Sequence, residues 1–299
     1  MSENVQKTLR DSAALRWLAL ILLAGAMFCS YIFMDILSPI KDLMWDTKGW
    51  DSTAFGTMQG SETFLNVFVF FLIFAGIILD KMGVRFTAIL SGAVMLVGAT
   101  INWYALTDMF AGSNLEVWFN EHLNYIPGFD ELGVSPFYKG MPASAKFSAI
   151  GFMIFGCGVE MAGITVSRGI VKWFKGREMA LAMGSEMALA RLGVATCMIF
   201  SPMFARLGGE VSVSRSVAFG VVLLMIALIM FIVYAFMDKK LDSQTGEAEE
   251  KDDPFKLSDL GKILTDSGFW LVALLCVLYY SAIFPFQKYA VNMLQCNLV

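Results

Sequence analysis

The sequence predicts an all-α integral membrane protein, and three observations carry that expectation. Hydrophobic residues make up 57% of the 299 positions and charged ones 16%, against about 45–50% and ~25% in a soluble domain. Mean hydropathy is +0.65. The apolar residues also come in long runs, and roughly 20 in succession are needed to cross a ~30 Å hydrocarbon core. In lipid such runs must be helices, because an open strand leaves its backbone N–H and C=O groups unpaired.

Seven spans are expected, at about 17–40, 59–79, 84–106, 147–171, 179–205, 216–237 and 268–290. The first is too long for a signal core and lacks a small-residue cleavage site, so it reads as a retained helix. Between spans three and four, Thr107–Lys146 is rich in Trp, Phe and Pro and is expected to pack on the membrane surface. After span six, "SQTGEAEEKDD" reads as a polar linker. "PFKLSDLGKIL" reads as a short amphipathic helix at the interface. Lysine and arginine fall thirteen to six in favour of the side holding the N-terminus and the 2–3, 4–5 and 6–7 loops. That excess marks the cytoplasmic face, so the N-terminus is expected inside.

Six spans, a charged linker and a seventh span match half of a twelve-helix transporter plus the start of its second half. The expected organisation is a six-helix bundle at 1–237, a cytoplasmic linker at 238–267 and the first helix of a truncated second bundle at 268–299. A seven-helix receptor would have the opposite N-terminal orientation.

Composition also excludes chemistries. The net charge is −4, and no basic patch with interleaved aromatics points to nucleic acid. Cys29, Cys157, Cys197, Cys276 and Cys296 lie in or beside apolar spans and read as small hydrophobes. The single histidine, His122, has no ligand partners nearby, so neither a metal nor another cofactor is expected. No phosphate-binding G-x-x-x-x-G-K-[ST] loop is present, which argues against ATP hydrolysis.

Two motifs carry function. "GIILDKMGVRF" joins spans two and three. Its Gly76 is expected to let two helices approach, Gly83 to permit a tight turn, and Asp80 to meet a helix N-terminus or a neighbouring cation. Lys81 and Arg85 complete the pattern, and Arg168 is a candidate partner for Asp80 in a gate. The second motif is a pair of charges buried in spans. Glu160 lies in "GCGVEMAGI" of span four and Arg191 in "SEMALARLG" of span five. Each costs on the order of 2.5–3.5 kcal/mol at a helix centre. Counting from the short connection at ~1.5 Å per residue puts them within a few ångströms in depth. The two helices are expected to be antiparallel neighbours. Small residues flank both charges and allow close packing or room for a ligand. One reading is a mutual salt bridge. The other is a site for a zwitterion, with Glu160 taking an ammonium and Arg191 a carboxylate through its planar fork. Asp35, before Pro39 in span one, is a third candidate, for an amine, a proton or a helix end. Glu186 reads as a local polar contact.

The 2–3 loop resembles the major facilitator superfamily pattern G-x-x-x-D-[RK]-x-G-x-[RK]-[RK], with Phe86 where a second basic residue is common. "KWFKGREMALAMGSEMALARLG" and "YYSAIFPF" are similar to the lysosomal dipeptide transporter group of that superfamily, as is the Asp35-to-Pro39 segment. The resemblance runs from about Arg16 to Phe286. It implies the superfamily fold and uniport of dipeptides by alternating access, with Glu160 holding the peptide amino terminus and Arg191 its carboxylate. The implied partners are a small zwitterion and the lipid bilayer, and the missing C-terminal half would be needed for activity. No acidic dileucine signal or N-x-[ST] sequon is present, so a bacterial inner membrane is expected; a eukaryotic source would imply the lysosomal membrane. The alternatives are a proton-coupled facilitator of organic anions or amino acids, with Asp35 or Glu186 titrating, and a non-transporting membrane subunit or inactive fragment.

Overall fold

The computed structural model describes residues 8–123, 137–138, 140–245, 261 and 263–298; these form helices and turns, with no strand among them. The chain divides into two compact units, Met1–Glu249 and Glu250–Val299. The first holds α1 (Ala13–Met34), α2 (Lys41–Lys48), α3 (Ser52–Phe68), α4 (Phe71–Ala105), α5 (Asn114–His122), α6 (Ala143–Phe174), α7 (Met179–Ala205) and α8 (Val213–Thr245). The second holds α9 (Ser267–Leu298), with Pro285 inside it.

Among the described residues, six helical stretches are long and apolar enough to cross a membrane: Ala13–Lys48, Phe71–Ala105, Ala143–Phe174, Met179–Ala205, Val213–Gln244 and Ser267–Leu294. The difference from the expected seven lies in the second. Its residues are shared between α3 and the first part of α4, because the chain breaks at Val69–Phe70. Phe70 is left-handed there, with φ 54° and ψ 37°, a conformation that is uncommon for a bulky side chain. Within Phe71–Ala105, Gly83 leaves the helix at φ 79° and ψ 168°. Residues 71–82 complete the second pass and 84–105 form the third. Only glycine adopts that φ without strain, so the turn expected at Gly83 is present.

The first span is also interrupted. α1 ends at Met34, and Ser38–Ile40 form a 3-10 turn around Pro39. Proline has no N–H and cannot continue the ladder. The carbonyl of Ile36 freed there accepts a hydrogen bond from Ser201 Oγ at 2.5 Å, and Ser216 Oγ donates to the Ser201 carbonyl at 2.6 Å. The buried Ser201 hydroxyl on α7 thus replaces a helical bond missing at the break, and Ser216 ties α8 to α7 beside it.

Packing follows α4 on α6 and α8, α3 on α6, and α1 on α7 and α8. α4 and α6 approach at bare backbone: a methyl on Gly98 would sit 2.5 Å from the Gly151 carbonyl oxygen. Phe33, Phe152 and Phe155 fill the space between α1 and α6, with ring centroids 4.8 Å apart for Phe33 and Phe155.

Polar contacts gather at the two ends. At the N-terminal end Asp11 pairs with Arg177 at 2.8 Å, and Arg16, 5% exposed, donates to the Arg10 carbonyl at 2.9 Å and meets Glu178 at 3.5 Å. Lys172 binds both Asp238 and Asp242 at 2.7 Å, and Arg85 binds Asp242 at 2.9 Å. At the opposite end Trp50 Nε1 donates to Ser144 Oγ at 2.9 Å, and the Tyr138 hydroxyl donates to Asp51 at 3.1 Å. Burial and Asp51 together push the Tyr138 phenol up to about 12. The N-terminal segment, the 2–3 and 4–5 connections and the end of α8 share one end, as read from the sequence.

Two boundaries shift. α8 continues to Thr245, beyond the expected 237, because Lys172 and Arg85 on neighbouring helices hold its charged turn. In the 107–146 segment, α5 docks on α6 through Phe110, Phe119 and Ala143, so this loop packs on the bundle as well as offering Trp118 outward. Residues 124–136, Lys7, Lys139, Lys262 and most of the expected linker and amphipathic segment, 246–260, lie outside the described residues.

Candidate functional site

Glu160 and Arg191 stand on different helices, α6 and α7, both half-buried. No ion pair or hydrogen bond joins them, and neither has another such partner among the described residues. Nor is any nitrogen of Arg191 or oxygen of Glu160 among the sealed atoms without a hydrogen-bond partner in the described residues, which include Arg16 Nε, Gln59 Oε1, Asn66 Oδ1 and Asn102 Oδ1. Both charged groups therefore open onto space. The expected helix arrangement needs correction: α7 meets α6 little and packs on α1 instead. A short connection does not force its two helices together, and here bare backbone decides. A methyl on Gly193 would lie 2.6 Å from the Phe28 carbonyl oxygen on α1. That contact brings the Arg191 guanidinium carbon to 5.8 Å from the centre of the Tyr31 ring.

The glycines around Glu160 have separate duties. A methyl on Gly156 would sit 2.8 Å from the carbonyl carbon of Glu62 on α3, and closer still to its oxygen. Gly158 meets Met95 and Ser91 on α4 in the same way. Gly163 and Gly184 face nothing within 4 Å. Gly76 likewise has nothing within 4 Å, so the close helix approach expected of it is not made among the described residues.

Asp35 is 2% exposed at the broken end of α1. Ser38 Oγ donates to its carboxylate at 3.4 Å, and Gln59 Nε2 donates to Ser38 Oγ at 3.0 Å. Glu186 is 7% exposed. Glu62 on α3, a charge within the second expected span, was passed over in the sequence, and Asn66 carried no signal there. Asn66 Nδ2 donates to the Gly156 carbonyl at 3.4 Å, one turn before Glu160. An isolated amide inside an apolar run has no charge to mark it, and only the packing of α3 on α6 brings it to this level.

The motif residues lie at the N-terminal end. Asp80 Oδ1 is 2.5 Å from Arg168 Nη1, and both side chains are partly exposed. Arg85 reaches Asp242, Lys81 is exposed, and Phe86 points outward, 44% exposed. The described residues contain no cluster of three metal-binding side chains.

A membrane-embedded helical bundle that holds opposite, unjoined charges on separate spans has the architecture of a secondary transporter, whose work is binding and movement without covalent chemistry. The Major Facilitator Superfamily model matches residues 23–295, and the chain belongs to that family of multi-pass membrane transporters. It is 24% identical over 280 residues to the lysosomal dipeptide transporter MFSD1 of Homo sapiens, covering 91% of this chain and 52% of that protein. The MFSD1 of Pongo abelii gives the same identity and coverage. That of Gallus gallus is 29% identical over 145 residues, 46% of this chain and 32% of the relative. The chain spans about half the length, or less, of these curated relatives. No solved structure matches it.

Proposed function

We propose that the protein moves small zwitterions, dipeptides first among them, by alternating access without ion coupling. One observation carries the reading: Glu160 and Arg191 are opposite charges, open to their surroundings and not spent on each other. An unpaired ion in a span is costly, and a ligand bearing both charges would offset both costs at once. Arg191 takes the carboxylate as a bidentate pair and Glu160 the ammonium. Asp35, enclosed and engaged by Ser38, supports the broken end of α1. The contacts of Asp80 with Arg168 and of Arg85 with Asp242 hold the N-terminal end shut or let it part, which is a gate. Gly83 gives that gate its turn, and Gly76 and Lys81 belong to the same loop. The MFSD1 relatives named as dipeptide transporters support the substrate class. The thirteen-to-six bias of basic residues favours a cytoplasmic N-terminus, in a bacterial inner membrane. The family's two-bundle architecture, with the site at the repeat interface, makes a second bundle a requirement for transport.

The test is ligand binding to the intact protein. A dipeptide with a free carboxylate is expected to bind well and its C-terminal amide poorly, and Arg191→Ala should erase the difference. Blocking the ligand's amino group should do the same through Glu160. A folded Arg191→Ala protein that still prefers the free acid overturns the assignment. A second reading, proton-coupled transport, is favoured by Glu186, which is 7% exposed and has no ion pair among the described residues. Its signature is uptake that follows a pH gradient and is lost in Glu186→Gln; uptake indifferent to the gradient removes it.

A further inference from the structure

We propose that Tyr31 is a positioning residue for Arg191: its ring carries the guanidinium on one face and leaves the N–H edge turned to a ligand carboxylate. This rests on the zwitterion reading of Arg191. The guanidinium carbon stands 5.8 Å from the ring centre, inside the ~6 Å range over which a cation is drawn to an aromatic face. Arg191 makes no hydrogen bond or ion pair with a described residue, and its nitrogens are not sealed. The ring is thus the contact that holds this cation.

The two interactions do not compete. A guanidinium stacked on a ring uses its flat face, whereas a carboxylate is gripped in its plane by two parallel N–H donors. An arginine compensated by Glu160 would have to break an ion pair each time a ligand arrived. An arginine resting on a ring is partly compensated when empty and keeps its donors free. The backbone enforces the geometry. Gly193 lies two residues after Arg191, and a methyl there would be 2.6 Å from the Phe28 carbonyl oxygen and 3.3 Å from Tyr31 Cβ. α7 therefore sits directly on the turn of α1 that bears Tyr31, which limits where Arg191 can point. Affinity gained this way comes from preorganisation, because the side chain loses less freedom on binding.

The experiment measures, in the intact protein, the affinity for alanylalanine and for its C-terminal amide. Tyr31→Phe keeps the ring and should hold the preference for the free acid within about twofold. Tyr31→Leu removes it and should cut that preference about tenfold. A residue that merely packs the helix would weaken both ligands alike. Because Tyr31→Leu also removes packing volume on which folding depends, position 31 is filled as well with phenylalanines carrying one, two and three ring fluorines. These keep the shape and drain the negative face. Affinity for the free acid should fall stepwise with fluorine number while affinity for the amide stays level. A flat series overturns the proposal. Arg191→Ala is measured in parallel. If it retains the free-acid preference, the zwitterion reading fails; if it loses the preference while the fluorinated series is flat, only the role of Tyr31 falls.

Discussion

Gly156 and Gly163 lie two turns apart on α6, on either side of Glu160, and substituting each with alanine should give opposite results. At Gly156 the new methyl would lie 2.8 Å from the carbonyl carbon of Glu62 and 3.1 Å from its Cα. These are backbone atoms, so no rotamer change relieves the overlap. α3 and α6 must separate, and the 3.4 Å bond from Asn66 to the Gly156 carbonyl is lost with them. Overpacking of this kind costs about 1–3 kcal/mol. At Gly163 nothing lies within 4 Å, and alanine there should gain the ~0.5–1 kcal/mol that glycine forfeits inside a helix. Both positions share that gain, so the difference between the two variants isolates the overlap. For a unit of this size 1 kcal/mol moves the melting temperature about 2–4 °C. Melting in detergent should therefore separate the variants by several degrees, with Gly163→Ala at or above the parent. Gly156→Ala should also weaken ligand binding, because it displaces the helix that carries Glu160. If Gly156→Ala melts with Gly163→Ala, the close crossing of α3 and α6 is wrong, and with it the level assigned to Asn66.

The remaining predictions concern the two ends. Asp238 is fully buried and bound by Lys172 at 2.7 Å and Trp173 Nε1 at 3.0 Å; Lys172 keeps Asp242 at 2.7 Å in its absence, so Asp238→Ala should cost about 1–3 kcal/mol by leaving the buried Trp173 N–H without an acceptor, and an unchanged melting temperature would show the cluster to be solvated. Asp80→Asn should slow transport in the intact protein while leaving equilibrium binding within a few fold; a large loss of binding at normal expression would move the 2–3 loop into the site. Tyr138 has a folded pKa of about 12 against an ordinary 10, so the native state holds its proton longer. Its contribution is complete below pH 10 and is lost as pH rises toward 12. Tyr138→Phe should flatten the fall in stability across that window, and equal alkaline curves for both proteins would remove the Asp51 contact.

Hydropathy made most of the bundle legible, because spanning lipid leaves the backbone a single option. The breaks were legible only where residue type announces them. Gly83 and Pro39 could be read as interruptions; the break at Val69–Phe70 could not, since "FVFF" has neither glycine nor proline. The extension of α8 to Thr245 was hidden for the opposite reason. "DKKLDSQT" looks like a solvated linker until Arg85 and Lys172, 157 and 70 residues before Asp242, are folded against it. The charges of the site were visible as charges in apolar runs, but their partners were not. That α7 leans on α1 depends on Gly193 finding the Phe28 carbonyl, a pairing across 165 residues that no local pattern records.

That arrangement bears on why the chain keeps a cation at the centre of α7. A mutual pair between Glu160 and Arg191 would neutralise both charges, and in lipid it would be the less costly resting state. The fold does not take it, because α1 stands against α7 where Arg191 emerges and presents an aromatic face, 5.8 Å away, in place of a carboxylate. Glu160 is left on α6, where Gly156 and Gly158 bind the helix to α3 and α4 and so leave its carboxylate open. Close packing on one side of each helix, at bare glycine backbone, thus keeps the charged groups apart on the other. A bundle selected for stability alone would close that gap; one selected to hold a ligand with an ammonium and a carboxylate would keep it.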